Sequence, residues 1–352
     1  MENRRTILVT GGCGFIGTNF IRLLRKSYGQ WRVVNLDKLT YAGNPKNLND
    51  IREDDGYRLV VGDICDEKLV SEIFTAEKID TVVNFAAESH VDRSITGPAD
   101  FIRTNIIGTF TLLEAARISW LDQNGDLREN GNTCFIHIST DEVYGSLGRS
   151  GYFTEKTPFD PRSPYSASKA SSDHLVNAYF HTYGLPVRLT NCSNNYGPYQ
   201  FPEKLIPLVL SNGIHGKSLP VYGDGRNIRD WLYVTDHCQA IIEVLLKGQD
   251  GQSYNIGGNN EKENIEVVSA ICDILDEKLG RLESGQPRRS LITFVKDRLG
   301  HDRRYAIDAK KIKEKIGWEP QVTFEKGLRK TVEWYLDHQQ WVADIVDGSY
   351  KY

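Results

Sequence analysis

The sequence lacks the features that would place a protein in a membrane or on a nucleic acid. In its 352 residues no stretch approaches the roughly 20 consecutive apolar residues that a membrane-spanning helix needs. The apolar run at residues 7–10 is far too short for a signal peptide. The net charge of −4 gives no reason to expect binding to nucleic acid. We therefore expect a cytoplasmic protein with neither a membrane nor a nucleic acid as a partner.

The cysteine pattern lacks the spacing of a disulfide framework or a zinc site. The six cysteines form no Cys-x-x-Cys pair, and the gaps between them are long and irregular. Most lie in apolar runs, as Cys134 does directly before Phe135 and Ile136. No histidine accompanies them at the spacing of zinc ligands. The pattern predicts reduced, packed thiols and no metal site.

Strand-like and helix-like segments alternate through the first half of the chain. This alternation is typical of βαβ units and a parallel sheet. It predicts a Rossmann-type, doubly wound α/β fold, which binds its ligands at the carboxyl ends of the strands. The predicted strands are residues 6–10, 32–39, 57–63, 81–87 and 134–140, and the predicted helices are residues 15–28, 68–77, 99–119 and 167–183.

The alternation loosens after about residue 196, and we expect a second lobe there. The prolines that interrupt it stand at positions 198, 202, 207 and 220. Later predicted elements are the strands 231–234 and 253–256, which we expect to rejoin the sheet, and the helices 266–279 and 324–341. We predict a Rossmann domain over residues 1–195, rejoined by segments near 231–257 and 304–318. Most of residues 196–352 should form a smaller, discontinuous α/β lobe that binds the substrate.

Glycines crowd the loop that follows the first predicted strand and opens the first helix. The segment from Thr10 to Gly17 reads Thr-Gly-Gly-Cys-Gly-Phe-Ile-Gly. Such glycines let the backbone turn tightly and approach a pyrophosphate, which rests on the N-terminus of the helix. In this strand–turn–helix context the spacing predicts a dinucleotide site.

Asp37 indicates which dinucleotide binds. It lies 20 residues beyond Gly17, at the end of the second predicted strand. A carboxylate there holds the ribose hydroxyls of NAD and repels a 2′-phosphate. Lys38 keeps NADP open as an alternative, but we predict NAD. Asp63 and Ile64 end the third predicted strand, where contacts with adenine are expected.

A Tyr-x-x-x-Lys pattern occurs twice, and its context separates the two copies. Tyr152 and Lys156 are soon followed by prolines, which disfavour a helix there. Tyr165 and Lys169 follow Pro164 and lead into an unbroken helical run. Residues four apart on a helix share one face. We therefore predict that Tyr165 and Lys169 are the catalytic pair.

Two carboxylates stand directly after the predicted strand 134–140. Asp141 and Glu142 follow Thr140, where hydride chemistry is expected. A free Tyr is a poor base because its pKa is near ~10, but the Lys169 ammonium and a cationic nicotinamide would favour the phenolate of Tyr165. Two carboxylates in different environments can divide acid and base roles. The set predicts an oxidation followed by an acid–base step, with a solvated turn as the alternative for the carboxylates.

With these motifs the chain resembles the extended short-chain dehydrogenases/reductases of the NAD-dependent sugar epimerase/dehydratase family, and more closely the dTDP-glucose 4,6-dehydratases. The triplet Thr140-Asp141-Glu142 is the most specific feature, because sugar-nucleotide C4 epimerases usually have small residues in place of the two acids. Leu299 departs from the Pro expected in Asp-Arg-Pro-Gly-His. The matching segments, which run nearly end to end, are residues 10–17, 36–44, 86–94, 139–145, 191–199, 201–207, 220–225, 227–231 and 297–305.

The resemblance implies a lyase that converts dTDP-glucose to dTDP-4-keto-6-deoxyglucose and water. Tyr165 would deprotonate the C4 hydroxyl while hydride leaves C4 for NAD. Glu142 would then remove the C5 proton, and Asp141 would protonate the departing C6 hydroxyl before the hydride returns to C6. Lys169 would hold the cofactor ribose and support Tyr165. The alternatives are a UDP-glucose 4,6-dehydratase, which shares the Thr-Asp-Glu triplet, a nucleotide-sugar C4 epimerase, and a noncatalytic member of the fold.

The resemblance also implies binding residues and an assembly. A homodimer is expected, with the helices 99–119 and 167–183 at its interface. The residues expected at NAD are Gly11, Gly14, Phe15, Ile16, Gly17, Asp37, Lys38, Thr40, Asp63, Ile64, Phe85, Ala86, Ala87, Ser89, Thr104, Tyr165, Lys169 and Asn195. The residues expected at the nucleotide-diphosphate glucose are Ser89, Thr140, Asn194, Lys204, Leu205, Pro220, Val221, Tyr222, Arg229, Asn264, Asp297, Arg298 and His301.

Overall fold

The computed structural model describes residues 4–128 and 132–351. Within these ranges the strands are β1 (Thr6–Thr10), β2 (Arg32–Asp37), β3 (Tyr57–Val61), β4 (Thr81–Asn84), β5 (Cys134–Thr140), β6 (Val187–Cys192), β7 (Asn194–Tyr196), β8 (Leu219–Tyr222), β9 (Ile228–Tyr233), β10 (Gln252–Ile256), β11 (Glu261–Glu263) and β12 (Ile292–Val295).

The helices enclose these strands and alternate with them through the first half. They are α1 (Phe15–Ser27), α2 (Glu67–Glu77), α3 (Val91–Thr96), α4 (Ala99–Phe101), α5 (Thr109–Trp120), α6 (Pro164–Tyr183), α7 (Leu205–Ile214), α8 (Val234–Lys247), α9 (Asn264–Leu279), α10 (Lys310–Ile316), α11 (Phe324–Asp337) and α12 (Gln339–Asp347).

A seven-stranded sheet in the order β10-β6-β5-β4-β1-β2-β3 forms the centre of the first domain. All of its pairs are parallel. One core layer packs α1, α8 and α10 against the sheet, and the other packs α2, α5 and α6 against the opposite face. The predicted Rossmann-type, doubly wound α/β fold is confirmed. Because β2 and β4 flank β1 on opposite sides, the carboxyl end of β1 is the crevice where such a sheet binds its ligand.

Three strands end earlier than the sequence predicted, and one of them is β3, which stops at Val61 and not at residue 63. β2 stops at Asp37 and not at residue 39, because Leu39 turns into the left-handed region with φ 53°. Its backbone N–H donates to Asp37 Oδ1 at 2.8 Å, which closes a tight turn. β4 likewise ends at Asn84 and not at residue 87. Beyond these strand ends, the chain forms loops over the carboxyl edge of the sheet.

The predicted helix 99–119 is interrupted by a π-helical segment. The segment covers Ile102–Gly108, between α4 and α5. Such bulges are frequent at functional sites, and periodicity alone does not reveal them. The bulge carries Asn105, whose buried side chain bonds to two other elements of the cavity wall.

The second lobe has its own core and two small sheets. β9 pairs with β7 and β11 in a three-stranded sheet, and β8 pairs with β12. The expectation that the strand near 231–234 rejoins the large sheet is therefore wrong, whereas β10 does join it beside β6. The predicted helix 324–341 also breaks at His338, between α11 and α12. The division of the chain into two domains at residue 195 stays a prediction.

In the described part of the chain, no helix has both the length and the apolar character needed to cross a membrane. All six cysteines are free thiols, and five of them are buried.

Candidate active site

A cavity of about 510 Å³ lies at the carboxyl ends of the large sheet and extends under the second lobe. It brings together the predicted catalytic, cofactor and substrate residues with two exceptions. Val221 points into the core of the second lobe, and Asp297 stands behind His301, accepting a hydrogen bond from its Nδ1 at 2.6 Å. Across residues 4–128 and 132–351, no group of three or more His, Cys, Asp or Glu side chains is arranged to hold a metal ion.

The glycine loop leaves no room for side chains at two of its positions. Gly11 has a φ of 67°, and a Cβ there would lie 2.8 Å from the backbone of Ala86. A Cβ on Gly17 would lie 2.4 Å from the carbonyl oxygen of Gly11. The loop therefore keeps its shape only with glycine at these positions, and that shape brings the backbone against the cavity.

The N-terminus of α1 and the end of β2 form the two ends of a dinucleotide cradle. No side chain caps α1, and its first turn carries no acidic residue, so its leading N–H groups can face an anion. Asp37 is buried and accepts backbone N–H groups from Cys13 at 2.9 Å and Leu39 at 2.8 Å. Burial raises the pKa of Asp37, and these hydrogen bonds oppose the rise. A carboxylate oxygen held by one donor can still accept a ribose hydroxyl.

Lys38 does not stand free for a 2′-phosphate. Its ammonium pairs with Asp63 at 2.9 Å, and this hydrogen bond raises the pKa of Lys38. The pairing weakens the case for NADP, because Asp63 already balances the Lys38 charge that would receive the 2′-phosphate.

Asn105 of the π-helical segment holds the loop after β4 in place through hydrogen bonds. Asn105 Oδ1 accepts the backbone N–H of Glu88 at 2.9 Å, and its Nδ2 donates to Glu88 O at 3.0 Å. The same Nδ2 donates to Ser168 Oγ on α6 at 2.8 Å. From the other lobe, Lys204 Nζ donates to the carbonyl oxygen of Ser89 at 2.9 Å. The loop is therefore held at a defined place over the sheet edge.

Asp141 and Glu142 lie in different electrostatic surroundings although they are adjacent in sequence. Asp141 is buried, and its Oδ2 has no hydrogen-bond partner among the described residues. Burial, and next the charge of Glu142, raise its pKa well above the ordinary value. Burial also raises the pKa of Glu142, but Arg229, Lys204 and other cations oppose that rise. Of the two, Asp141 is the better proton donor and Glu142 the better acceptor.

Tyr165 and Lys169 stand at the start of α6, where the sequence predicted them. Ser163 caps the helix in a reciprocal capping box with Ser166, and Pro164 occupies the first turn. Burial and the charge of Glu142 raise the pKa of Tyr165 well above its ordinary value, while a hydrogen bond with Thr140 opposes the rise. Tyr165 therefore becomes a base only if positive charge lies close to it.

The second Tyr-x-x-x-Lys copy lies outside the cavity. Tyr152 is exposed on a loop and faces the guanidinium of Arg304. The prolines that follow it act as the sequence predicted, because residues 151–163 form no helix. Tyr165 and Lys169 do line the cavity, and their assignment as the catalytic pair stays a prediction.

Arg229 and two asparagines line the part of the cavity under the second lobe. Arg229 is buried, donates to Asp302 O at 2.9 Å and lies over the ring of Tyr305 at 4.2 Å. Asn194 and Asn264 each place a buried side-chain oxygen that has no hydrogen-bond partner within the described ranges. The guanidinium suits an anionic group of a ligand, and the two unpaired amide oxygens can accept hydrogen bonds from hydroxyl or N–H groups of the same ligand.

Arg298 and Tyr222 occupy the mouth of the cavity. Arg298 Nη2 donates to Asp92 Oδ2 across the lobes at 3.0 Å, and its guanidinium lies 5.4 Å from the centre of the Tyr222 ring. Tyr222 is exposed, with an edge toward His301. An anion that binds here must share Arg298 with Asp92.

The sequence reasoning missed several polar residues of the cavity. Glu203 accepts the hydroxyl of Tyr41 at 2.9 Å, and Asp302 accepts that of Tyr305 at 2.6 Å. Glu203 directly precedes Lys204, and Tyr305 ends the segment 297–305, so both lay within the matched motifs. Asp92 also lay within a matched segment, residues 86–94, but its contact with Arg298 depends on how the lobes meet.

Comparisons with known proteins identify the family of the chain. The family model described as GDP-mannose 4,6 dehydratase matches residues 8–331. A dTDP-glucose 4,6-dehydratase of Xanthomonas campestris pv. campestris is 59% identical over 346 residues, which cover 98% of this chain and 97% of that protein. The crystal structure of a dTDP-glucose 4,6-dehydratase from Streptomyces venezuelae, determined with NAD bound, has a TM-score of 0.87 at 46% identity and covers 97% of this chain and 99% of its own.

A second solved relative gives the same result. The dTDP-glucose 4,6-dehydratase of Bacillus anthracis, in complex with NAD, has a TM-score of 0.84 at 48% identity, covering 97% of this chain and 99% of that one. A Rossmann-type domain with a glycine loop and a Tyr–Lys pair at one cavity defines the extended short-chain dehydrogenases/reductases. Within that class the chain belongs to the family of the dTDP-glucose 4,6-dehydratases.

The glycine loop generates a first prediction. Gly17→Ala should weaken NAD binding by roughly tenfold or more, about 1.4 kcal/mol, because its Cβ would push the loop away from the cavity. The cofactor retained by purified protein, or its affinity by calorimetry, measures the effect. Gly148→Ala is the control, since a Cβ there meets nothing within 4 Å. Equal retention in both variants would contradict the assignment of this loop.

Proposed function

We propose that this protein is an NAD-dependent dTDP-glucose 4,6-dehydratase, a lyase that forms dTDP-4-keto-6-deoxyglucose and water. One observation carries the proposal: Asp141 and Glu142 share a single cavity with Tyr165 and Lys169. A C4 epimerase must oxidise and reduce the same carbon and has no use for an acid and a base at C5 and C6. The near full-length identity to dTDP-glucose dehydratases supports this reading.

NAD fits the residues that line the first half of the cavity. The uncapped start of α1 suits the pyrophosphate, buried Asp37 suits the ribose hydroxyls, and paired Lys38 disfavours a 2′-phosphate. Bound NAD supplies the hydride acceptor at C4 and returns the hydride at C6. The other residues that we assign to it are those predicted from the sequence around β1, β2, β3 and the loop after β4, together with Thr104 and Asn195.

Tyr165 acts as the base in the oxidation. Its phenolic oxygen takes the proton of the C4 hydroxyl, and Thr140 orients that hydroxyl with a hydrogen bond. The ammonium of Lys169, one helical turn away, stabilises the phenolate and holds the ribose. Ser89 and Thr140 fix the sugar between the loop after β4 and the end of β5.

Glu142 and Asp141 carry out the elimination. A ketone at C4 acidifies the C5 proton, which the Glu142 carboxylate removes. Asp141, whose pKa is raised by burial, stays protonated and gives its proton to the departing C6 hydroxyl. Burial raises the pKa of both acids, but cations oppose the rise more at Glu142, and this difference is what the division of roles requires.

The second lobe holds the nucleotide diphosphate. Arg229 and Arg298 provide planar, multidentate donors for the phosphates. Asn194 and Asn264 present unpaired side-chain oxygens on the same wall, and Tyr222 can stack on the base. The remaining substrate contacts are assigned to Lys204, Leu205, Pro220 and His301, which line the cavity, whereas the side chains of Val221 and Asp297 do not line it.

We assign the protein to a homodimer in the cytoplasm. Apolar side chains are exposed along the helix 99–119, which the family resemblance implies at a dimer interface: Ile102, Ile107, Phe110 and Ile118. Covering such side chains with the same region of a second copy would remove them from water. The free thiols suit a reducing compartment.

Product analysis tests the proposed function directly. Purified protein incubated with dTDP-glucose should yield a nucleotide sugar lighter by the mass of one water molecule. UDP-glucose in a parallel reaction should turn over more slowly. Unchanged mass with an epimerised sugar would replace the dehydratase by an epimerase, and faster turnover of UDP-glucose would reassign the nucleobase.

A second prediction separates the two Tyr-x-x-x-Lys copies. Tyr165→Phe should lower kcat by ~10²–10⁴-fold, because no other group takes the proton of the C4 hydroxyl. Tyr152→Phe, on the exposed loop, should retain full activity. Steady-state kinetics of both variants measure kcat, and comparable losses in the two variants would contradict the assignment of Tyr165 as the base.

A third prediction separates Glu142 from Asp141. Glu142→Gln should still oxidise C4 and then stop, so a quenched reaction should contain the 4-keto sugar with its C6 hydroxyl intact. In heavy water this variant should lose deuterium exchange at C5. Asp141→Asn, the matched neighbour, should keep C5 exchange but release water slowly. Retained exchange at C5 in Glu142→Gln would assign the base to another residue.

A further inference from the structure

A buried polar cluster stands behind Lys169, on the side away from the cavity mouth. Lys169 is 3 % exposed, and its Nζ donates to Ile138 O on β5 at 2.8 Å. The same Nζ lies 3.2 Å from Nε2 of His137. The side chain of His137 is also buried, so two ionisable groups meet where water does not reach.

Asp173 is the carboxylate of this cluster. It lies four residues after Lys169, on the same face of α6, and is fully buried. Its Oδ2 accepts Ser139 Oγ at 2.8 Å and Asn191 Nδ2 at 3.3 Å. Its Oδ1 lies 3.4 Å from His137 Nε2 and has no well-aligned hydrogen bond in the described part of the chain.

The imidazole ring of His137 lies between the ammonium of Lys169 and the carboxylate of Asp173. Its Nε2 stands 3.2 Å from the ammonium and 3.4 Å from the carboxylate. Burial, and next the charge of Lys169, lower the pKa of His137 to about 4, so the imidazole is neutral near pH 7. The charged pair is therefore Lys169 and Asp173, with a neutral ring between them.

Lys169 needs a counter-charge because it is buried. Burial lowers its pKa to about 8, and the carboxylate of Asp173 is the largest influence that opposes the fall. The other ionisable groups around Lys169 are His137 on β5 and the Cys192 thiol at the end of β6, and Tyr165 lies one helical turn before it on α6. At neutral pH none of these three carries the negative charge that Asp173 supplies.

We propose that Asp173 is a positioning residue for the reaction: a buried counter-ion that acts past His137 to keep Lys169 charged and aimed at Tyr165. The proposal rests on the proposed function for its catalytic consequence, but the charge coupling itself does not. The hydrogen bonds from Ser139 and Asn191 hold the carboxylate in place, so its position does not depend on the ligand.

Asp173→Asn keeps the shape of the side chain and removes its charge. The pKa of Lys169 should then fall below that of the parent, and the fraction of ammonium at a given alkaline pH should fall with it. The alkaline limb of the kcat profile should move to lower pH by about one unit or more. An unmoved limb, whatever the absolute rate, would overturn the proposal.

Thermal unfolding measures the same coupling without catalysis. The Tm deficit of Asp173→Asn should be largest near about pH 6.5, where Lys169 is charged, and should shrink as the pH rises through about 8 and the ammonium loses its proton. Asp236→Asn is the control, a buried carboxylate that accepts backbone N–H groups of Gln321 and Val322. Its deficit should stay constant over this range. A constant deficit in Asp173→Asn as well would mean that Asp173 acts only through its hydrogen bonds.

A double variant covers the case in which Asp173→Asn does not fold. Replacing the lysine too, by Lys169→Met, removes the uncompensated buried ammonium, so the double variant should fold and melt above Asp173→Asn. A double variant no more stable than the single one would overturn the proposal. If the parent protein does not dehydrate dTDP-glucose, the proposed function fails, but both unfolding experiments still test the coupling.

Discussion

The cost of burying charge at the carboxyl edge of the sheet is the constraint on which the rest of the structure depends. Asp141, Glu142, Tyr165 and Lys169 all lie where burial shifts their pKa values. Neighbouring groups offset each pKa shift to a different degree. These differences determine which residue acts as an acid and which as a base. Asp141 lacks a partner for one oxygen, whereas Glu142 faces cations of the second lobe. An acid and a base therefore coexist at one pH on consecutive residues.

The second lobe completes this electrostatic arrangement from across the cavity. Arg229 reaches the carboxylates from β9, and Lys204 ties the lobe to the loop after β4. Arg298 pairs with Asp92 between the lobes, so a bound diphosphate must share that guanidinium with a carboxylate. The site thus lies between two cores, and each of them contributes charged groups to it.

The sequence predicted the parts of this structure that depend on local patterns. The glycine loop, the position of Asp37 near the end of the second strand, and Pro164 at the start of the helix that carries Tyr165 are local signals, and the alternation of strands and helices predicted the parallel sheet. Non-local features escaped it. The pairing of β9 with β7 depends on the fold of the second lobe, and the π-helical segment breaks a helix whose periodicity looks continuous. The contact of Asp92 with Arg298 joins residues far apart in the chain, which no spacing rule relates.

The central claim is that one active site catalyses oxidation at C4, loss of water across C5 and C6, and reduction at C6. The path of the hydrogen atom on C4 of the substrate tests this claim most directly. dTDP-glucose deuterated at C4 should give a dehydrated product that carries the deuterium at C6, because the hydride is returned within the same site. Mass spectrometry and NMR of the product locate the label. Deuterium found at C4 of an epimerised sugar, or lost from the sugar altogether, would contradict the account.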